Sequence, residues 1–149
     1  MSSMKLNHEK ATTLGTLIIA VIIVGVMLLF IRSTFVATTE EPKVDISDNM
    51  ITITGMYGES YSVDSVLNMV TAEGTPVLGR KINGAGLTSR KAYRGHYVVE
   101  GFGKYRVFLF GDEGPYIILE TSEETVLIMF YDSNRTLELY EYFVENIDI

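Results

Sequence analysis

Cysteine and tryptophan are absent from this chain, and histidine occurs only twice in its 149 residues. Without cysteine there is no disulfide, no thiolate nucleophile and no zinc or iron–sulfur site built on thiolates. The two histidines, His8 and His96, lie on opposite sides of a long apolar segment, so a catalytic triad or a zinc site would have one imidazole to use. From these absences we predict that the protein is not an enzyme and uses no metal and no cofactor.

Positive charge is also scarce. Lysine and arginine number 12, aspartate and glutamate number 19, and the formal net charge is −7. Nearly all of the acidic residues follow Arg32. A protein that binds nucleic acid in general needs a basic field to neutralise phosphates. We therefore expect no nucleic-acid partner.

One long apolar run is present, over residues 11–31, and it contains no charge. At 1.5 Å per residue it reaches roughly 31 Å, which matches a hydrocarbon core of about 30 Å. A buried core helix of this length would show a polar stripe, and a cleavable signal peptide would have an apolar core of only about 7 to 15 residues. The run therefore predicts a transmembrane helix over residues 11–32, after an N-terminal tail over residues 1–10.

The few charges near this run indicate its orientation in the membrane. Lys5 and Lys10 precede it, and Arg32 and Lys43 follow it. This count is a tie, but the free amino terminus and the acidic residues after the run favour an internal N-terminus. We therefore predict a single-pass protein of the cell membrane whose C-terminal domain lies outside the cytoplasm. Residues 33–43 are polar and aperiodic, which predicts a flexible linker.

Residues 44–149 are enough for one domain with its own core. Ile51 and Ile53 alternate with Thr52 and Thr54, and glycine-rich turn signals recur along the segment. Short alternating strands between such turns are typical of an antiparallel meander that closes as a barrel or a sandwich. We predict a mostly β domain, a small and strongly bent antiparallel barrel.

Three consecutive segments, residues 105–110, 116–119 and 126–131, are apolar on both faces. A sheet with one wet face would alternate, so something must cover the second face of these strands. Apolar residues at spacings of three and four follow residues 132–134 and predict a C-terminal amphipathic helix as that cover. Apolar surface beyond what one helix can hide would imply a protein partner.

A basic, glycine-rich segment is the one candidate binding site. Its polar residues are Arg80, Lys81, Asn83, Arg90, Lys91 and Arg94. A flexible basic loop can bind phosphates, carboxylates or an anionic membrane surface through charge-assisted hydrogen bonds. The same residues could also form a solvated loop that balances an acidic domain, and the sequence leaves both interpretations open.

The order of the motifs resembles a bacterial pleckstrin-homology-like domain over about residues 50 to 145. The residues that carry this resemblance are Ile51 to Gly58, Pro76, Gly79 to Gly84, Gly95, Tyr97, Phe102 to Lys104, Pro115 to Ile117, Asp132, Thr136, Leu139 and Tyr140. The resemblance implies a seven-stranded bent barrel closed by a C-terminal helix, often found behind a membrane span. It brings no catalytic residues and no assigned molecular role.

The chain departs from eukaryotic members of that fold in two places. Its C-terminal helix has no tryptophan, and its first turn carries Asp48 where phosphoinositide binders place lysine and arginine. Both departures speak against phosphoinositide binding by that route. We expect a membrane-anchored, non-catalytic module that binds a protein partner near the bilayer. The alternative is a sensor or accessory subunit that binds a small anion or an anionic lipid through residues 80–94.

Overall fold

A computed structural model describes the backbone of residues 2–87, 91–100 and 103–147, and the side chains of residues 14–36, 39–84, 91–100 and 103–147. Its strands are β1 (Val44–Ser47), β2 (Met50–Ile53), β3 (Glu59–Ser62), β4 (Val66–Gly74), β5 (Arg80–Leu87), β6 (Ala92–Val99), β7 (Gly103–Phe110), β8 (Gly114–Thr121) and β9 (Thr125–Met129). Helix α1 covers Ser2–Thr39, helix α2 covers Ser133–Asn146, and a 3-10 turn over Val63–Ser65 precedes β4.

Helix α1 contains the apolar run. Its stretch Leu14–Val36 is long and apolar enough to cross a membrane, and none of it is buried inside the structure. A signal sequence near an N-terminus has the same properties, so this finding fits either role. The helix continues past Arg32 into the predicted linker and ends at Thr39, and no proline occurs before Pro42 to stop it earlier.

Strands β1, β2 and β3 form a small antiparallel sheet in that order. Asp48 and Asn49 join the first two strands, and their φ angles of 52° and 62° are those that a two-residue type I′ hairpin turn requires. Ile51 and Ile53 are 0% and 1% exposed, and Tyr61 of β3 is buried on the same face. The alternation predicted for β2 is therefore confirmed.

The other six strands form one sheet in the order β4-β8-β9-β7-β6-β5. Neighbouring strands are antiparallel except β7 and β9, which run parallel with Val107 opposite Leu127. Because β9 lies between β7 and β8, the chain must cross the width of one strand after β7. It does so between Gly111 and Gly114, whose φ angles of 135° and 150° are accessible to glycine.

The six-stranded sheet is not flat, because one short connection joins its two edge strands. Strand β4 ends at Gly74 on one edge, and β5 begins at Arg80 on the opposite edge. Six chain steps reach at most about 22 Å, whereas the edges of a flat sheet of six strands are roughly 24 Å apart. Neighbouring strands are rotated by about 20–25°, so a departure from flatness of this size is ordinary for a sheet. Leu78 of the connection packs against the apolar cluster that contains Tyr97 and Val107.

Both faces of β9 and of the second half of β7 are buried, as their apolar sequences predict, whereas β8 alternates between buried and partly buried residues. One core contains Phe108, Ile117 and Ile128 of these strands, together with Ile51 of the small sheet and Phe143 of α2. A second core, on the other face of the large sheet, consists of Tyr97, Val107, Leu109, Leu127 and Met129. The helix therefore supplies only part of the cover: the small sheet shares the first core with it, and Leu78 packs on the second.

Helix α2 lies close to its predicted position. The Asp132 side chain caps it by accepting a hydrogen bond from the Asn134 N–H at 2.9 Å. Leu139 and Phe143 are buried against the sheet, whereas Leu137 and Val144, which belong to the same series of apolar residues at spacings of three and four, are exposed. The apolar face that packs is thus narrower than the sequence pattern indicates.

The predicted barrel is wrong, although the mostly β domain with a C-terminal helix is confirmed. The strands divide into two sheets, and within the described residues no pairing joins β4 to β5 to close the larger one. The described part of the domain also has nine strands rather than the seven that the resemblance implies, and one of its strand pairs is parallel. The physical reason is the entry of β9 between β7 and β8, which breaks the simple antiparallel meander on which the barrel prediction rested.

Candidate functional site

The predicted basic loop is largely a β-hairpin. Strands β5 and β6 pair from Arg80 opposite Val98 to Leu87 opposite Ala92. The strands approach closely at a glycine pair: a Cβ on Gly84 would lie 2.3 Å from the carbonyl oxygen of residue 94. The glycines that allow this approach also interrupt the alternation of side chains, which is why the sequence indicates a loop.

The hairpin separates the predicted site residues. Arg80 and Lys81 are exposed at the start of β5, and Asn83 beside them accepts a 3.4 Å hydrogen bond from the Tyr57 hydroxyl. Lys91, at the other end of the hairpin, is exposed and forms an ion pair with Asp112, whose hydrogen bond and charge raise the pKa of the lysine. Arg90 lies outside the described residues. Exposed cations at opposite ends of a hairpin do not form one cluster.

Arg94 differs from these cations because it is almost completely buried. It is 1% exposed on β6, and its Cζ lies 4.8 Å from the centroid of the Phe110 ring. Burial lowers the pKa of Arg94, and the charge of Glu40 acts in the opposite direction. An arginine keeps its charge in a protein, so the domain holds a permanent cation in its interior.

A cavity of about 270 Å³ lies beside Arg94. It is lined by Glu40, Glu41, Lys43, Thr54, Gly55, Met56 and Arg94. Three separate parts of the domain therefore form it: the segment before β1, the turn between β2 and β3, and strand β6. Lys43 is not among the predicted site residues, because the polar, aperiodic sequence of residues 33–43 predicts a linker.

Residues 40–43, at the end of the predicted linker, contact the β domain. Pro42 is buried, and the carbonyl of Lys43 accepts hydrogen bonds from the N–H of Thr54 at 2.8 Å and from its hydroxyl at 3.1 Å. Glu41 accepts a 2.6 Å hydrogen bond from the N–H of Tyr131 and pairs with Arg135. The contacts of Glu41 join residues about 90 positions apart along the chain, so no local sequence signal could reveal them.

A second buried polar cluster joins the two sheets. The Nε of Arg106 donates to Glu124 at 2.6 Å, and its other nitrogens reach the carbonyl of Tyr57 and the carboxylate of Glu59. The Tyr61 hydroxyl donates to the same oxygen of Glu124 at 2.7 Å. Burial, followed by the hydrogen bond with Glu124, raises the pKa of Tyr61 well above its usual value. Every charged group in this cluster has a partner, so its chemistry is that of a structural clamp.

His96 is half-buried, and its ring lies 6.3 Å from the ring of Tyr57 in an edge-on arrangement. Among the described residues no three histidine, cysteine, aspartate or glutamate side chains are grouped so that they could hold a metal ion. The arrangement of charges at Arg94 is therefore the best candidate site in the described part of the chain.

Comparison of the sequence and structure with protein-family models, with curated proteins and with solved structures found no match.

Proposed function

We propose that the chain is a membrane-anchored, non-catalytic binding module whose β domain engages a protein partner near the bilayer. The observation that carries this proposal is the open edge of β4. Leu67 and Val70 on this strand are 65% and 40% exposed, and no strand of the described chain pairs with its outer side. Exposed apolar side chains on an unpaired strand are a template for an added strand.

The pairing of β4 indicates which backbone groups a partner would bind. Glu73 lies opposite Pro115 of β8, and proline has no N–H to donate. Hydrogen-bonded and non-hydrogen-bonded pairs alternate in an antiparallel ladder, so Met69, Thr71 and Glu73 direct their N–H and C=O groups away from β8. Glu73 is the only charged residue of β4, so the strand has little of the charge that usually prevents an edge strand from pairing with another chain.

A photo-crosslinking side chain at position 70 of the full chain, in native membranes, tests the partner proposal. We expect a protein adduct from position 70 and none from position 144, which is similarly exposed on the outer face of α2. Thr71→Pro should abolish the adduct because it removes an outward N–H from the edge. Equal adducts from both positions, or an adduct that survives Thr71→Pro, would contradict binding at this edge.

The anchor and its orientation belong to the same proposal. The apolar stretch Leu14–Val36 supports a span, and the charges around it favour a domain outside the cytoplasm. Protease added to intact cells or spheroplasts should then digest the C-terminal domain and spare an N-terminal tag. Protection of the domain until the cells are lysed would reverse the orientation.

A relation to bacterial pleckstrin-homology-like domains is a further part of the proposal. A C-terminal helix packed on a β domain supports it, whereas the parallel pairing of β7 with β9 departs from that pattern. Backbone NMR of the full chain in detergent provides the test, because cross-strand contacts between Val107 and Leu127 report the parallel pair directly. Antiparallel contacts there would favour the family relation.

Anion binding through residues 80–94 is the second candidate function. The specific observation in its favour is that Arg94 of this segment lies at a cavity, together with a second cation, Lys43. Binding of anionic vesicles, by contrast, would use the exposed side chains of Arg80, Lys81 and Lys91. Replacement of these three exposed residues with glutamine should abolish co-sedimentation of the full chain with anionic vesicles if the chain binds lipid surfaces. The same replacement should leave binding of a small anion at the cavity unchanged.

A further inference from the structure

Two branched apolar side chains are exposed where the chain enters the hairpin of β5 and β6. Val77 is 81% exposed, and Ile82 is 53% exposed. The residues on either side of Val77 are held by the domain, because Pro76 is buried and Leu78 packs on the second core. The exposure of Val77 therefore follows from the packing of its neighbours.

Two cations lie near these apolar residues, on one face of the large sheet. Arg80 of β5 and Lys104 of β7 are both directly opposite Val98 of β6, so the three side chains point to the same face. Neighbouring strands are about 4.8 Å apart, which separates the outer two residues of this row by roughly 10 Å. Both cations are exposed, and neither forms an ion pair with a described side chain.

Acidic residues balance this row only in part. Glu100, after β6, is the one acidic residue in the sequence between positions 74 and 111. Glu59 and Glu124 are bound by Arg106, which lies in the next row of the same face. This end of the sheet is therefore a positive region in a chain whose net charge is −7.

The contacts of the domain connect this row to the point where the chain enters it. Glu40 lines one cavity with Gly55 of the turn after β2, and Tyr57 of the same turn donates to Asn83 on β5, three residues after Arg80. In the sequence, the apolar stretch ends four residues before Glu40, and four residues reach at most about 14 Å. A bilayer that holds this stretch therefore keeps lipid headgroups close to the entry point.

We propose that Val77, Arg80, Ile82 and Lys104 form a surface that rests on anionic headgroups of the membrane in which the chain is anchored. The two cations bind lipid phosphates, and the two apolar side chains enter the layer beneath the headgroups. The anchor supplies this lipid surface at a high effective concentration, which favours it over a soluble acidic partner. The proposal rests on the second candidate function and names the side chains of its lipid form.

The test uses the absence of cysteine, which makes a spin label on Ile82→Cys specific. The full chain is reconstituted in nanodiscs of phosphatidylcholine, alone or mixed with phosphatidylglycerol. Collisions of the label with oxygen report contact with lipid, and collisions with a water-soluble nickel chelate report contact with water. We expect the label to enter the lipid more in anionic discs than in neutral ones. A label on Val144→Cys, an exposed position of α2, should stay in water in both.

Two charge variants, made in the labelled chain, identify the cations that are responsible. Arg80→Gln and Lys104→Gln should each lower the ratio of lipid-exposed to water-exposed label about fivefold in anionic discs, the effect of one cation near an anionic surface. Lys91→Gln is the matched control, because Lys91 is exposed at the other end of the same hairpin and pairs with Asp112, and it should leave the ratio unchanged.

Several results would overturn the proposal. A label at position 82 that stays in water in both kinds of disc would leave only the small-anion form of the second candidate function. Shielding from water that is equal in neutral and anionic discs would indicate a contact with protein, such as a second copy of the chain. Immersion that depends on Lys91 instead of Arg80 and Lys104 would contradict this surface but keep the second candidate function, whereas immersion that none of these cations changes would contradict both.

Discussion

Replacement of Phe143 by alanine tests whether α2 closes the core of the domain. Phe143 is 0% exposed and packs with residues of both sheets in one cluster. Truncation of a buried phenylalanine to alanine costs about 3–5 kcal/mol, from lost burial and from the cavity that remains. A domain of this size has a total stability of about 5–15 kcal/mol, so the variant should be severely weakened but in most of that range still folded.

The size of the effect can be converted into an observable. At a slope of about 2 kcal/mol per molar urea, a loss of 3–5 kcal/mol lowers the unfolding midpoint by roughly 2 M. All nine tyrosines follow residue 56, so tyrosine circular dichroism of the full chain in detergent reports unfolding of the β domain alone. Val144→Ala is the matched control, because the adjacent side chain is 55% exposed and its loss should change stability by less than about 0.5 kcal/mol. Equal midpoints for the two variants would refute the packing of α2 on the sheets.

Three other predictions follow from the clamp, the hairpin and the domain boundary. Because the folded state raises the pKa of Tyr61 above its ordinary value of 10.0, the domain should lose stability as the pH rises above about 10. Tyr61→Phe should remove part of that pH dependence and cost about 1 kcal/mol at neutral pH by breaking the hydrogen bond to Glu124, both measured by urea unfolding. Gly95→Ala should lower the free energy of unfolding by about 3 kcal/mol or more in the same assay, because its Cβ would lie 2.2 Å from a carbonyl oxygen of the neighbouring strand. Gly74→Ala is the control, because Gly74 has a similar φ but open space around it, and this variant should lose about 1 kcal/mol. A fragment of residues 44–149 should be soluble and mainly β by circular dichroism, and a helix-dominated spectrum would contradict the assignment of its strands.

The local elements of this fold are visible in its sequence. The segments that became β7, β8 and β9 are apolar runs between turn signals, and such runs require cover on both faces. The period of three and four after Asp132 predicts α2 because a cap and an apolar stripe are both local signals. These inferences depend on neighbours a few residues apart, which is the range that sequence patterns report.

The topology and the candidate site depend on contacts that sequence patterns do not report. Nothing in the composition of β9 shows that it inserts between β7 and β8, because the order of strands is decided by the packing of the whole sheet. The same holds for Arg94, whose burial follows from the pairing of two glycine-rich strands. Glu41 and Lys43 read as linker residues because their partners lie in other parts of the chain.

Whether α1 remains attached to the domain as a membrane anchor is tested most directly by the intact mass of the protein after alkaline extraction of membranes. A span over Leu14–Val36 predicts the complete chain of 149 residues, recovered in the membrane pellet after extraction. A soluble product that begins near residue 37 would contradict the anchor, because it would identify the apolar helix as a cleaved signal sequence and the domain as a protein released from the membrane.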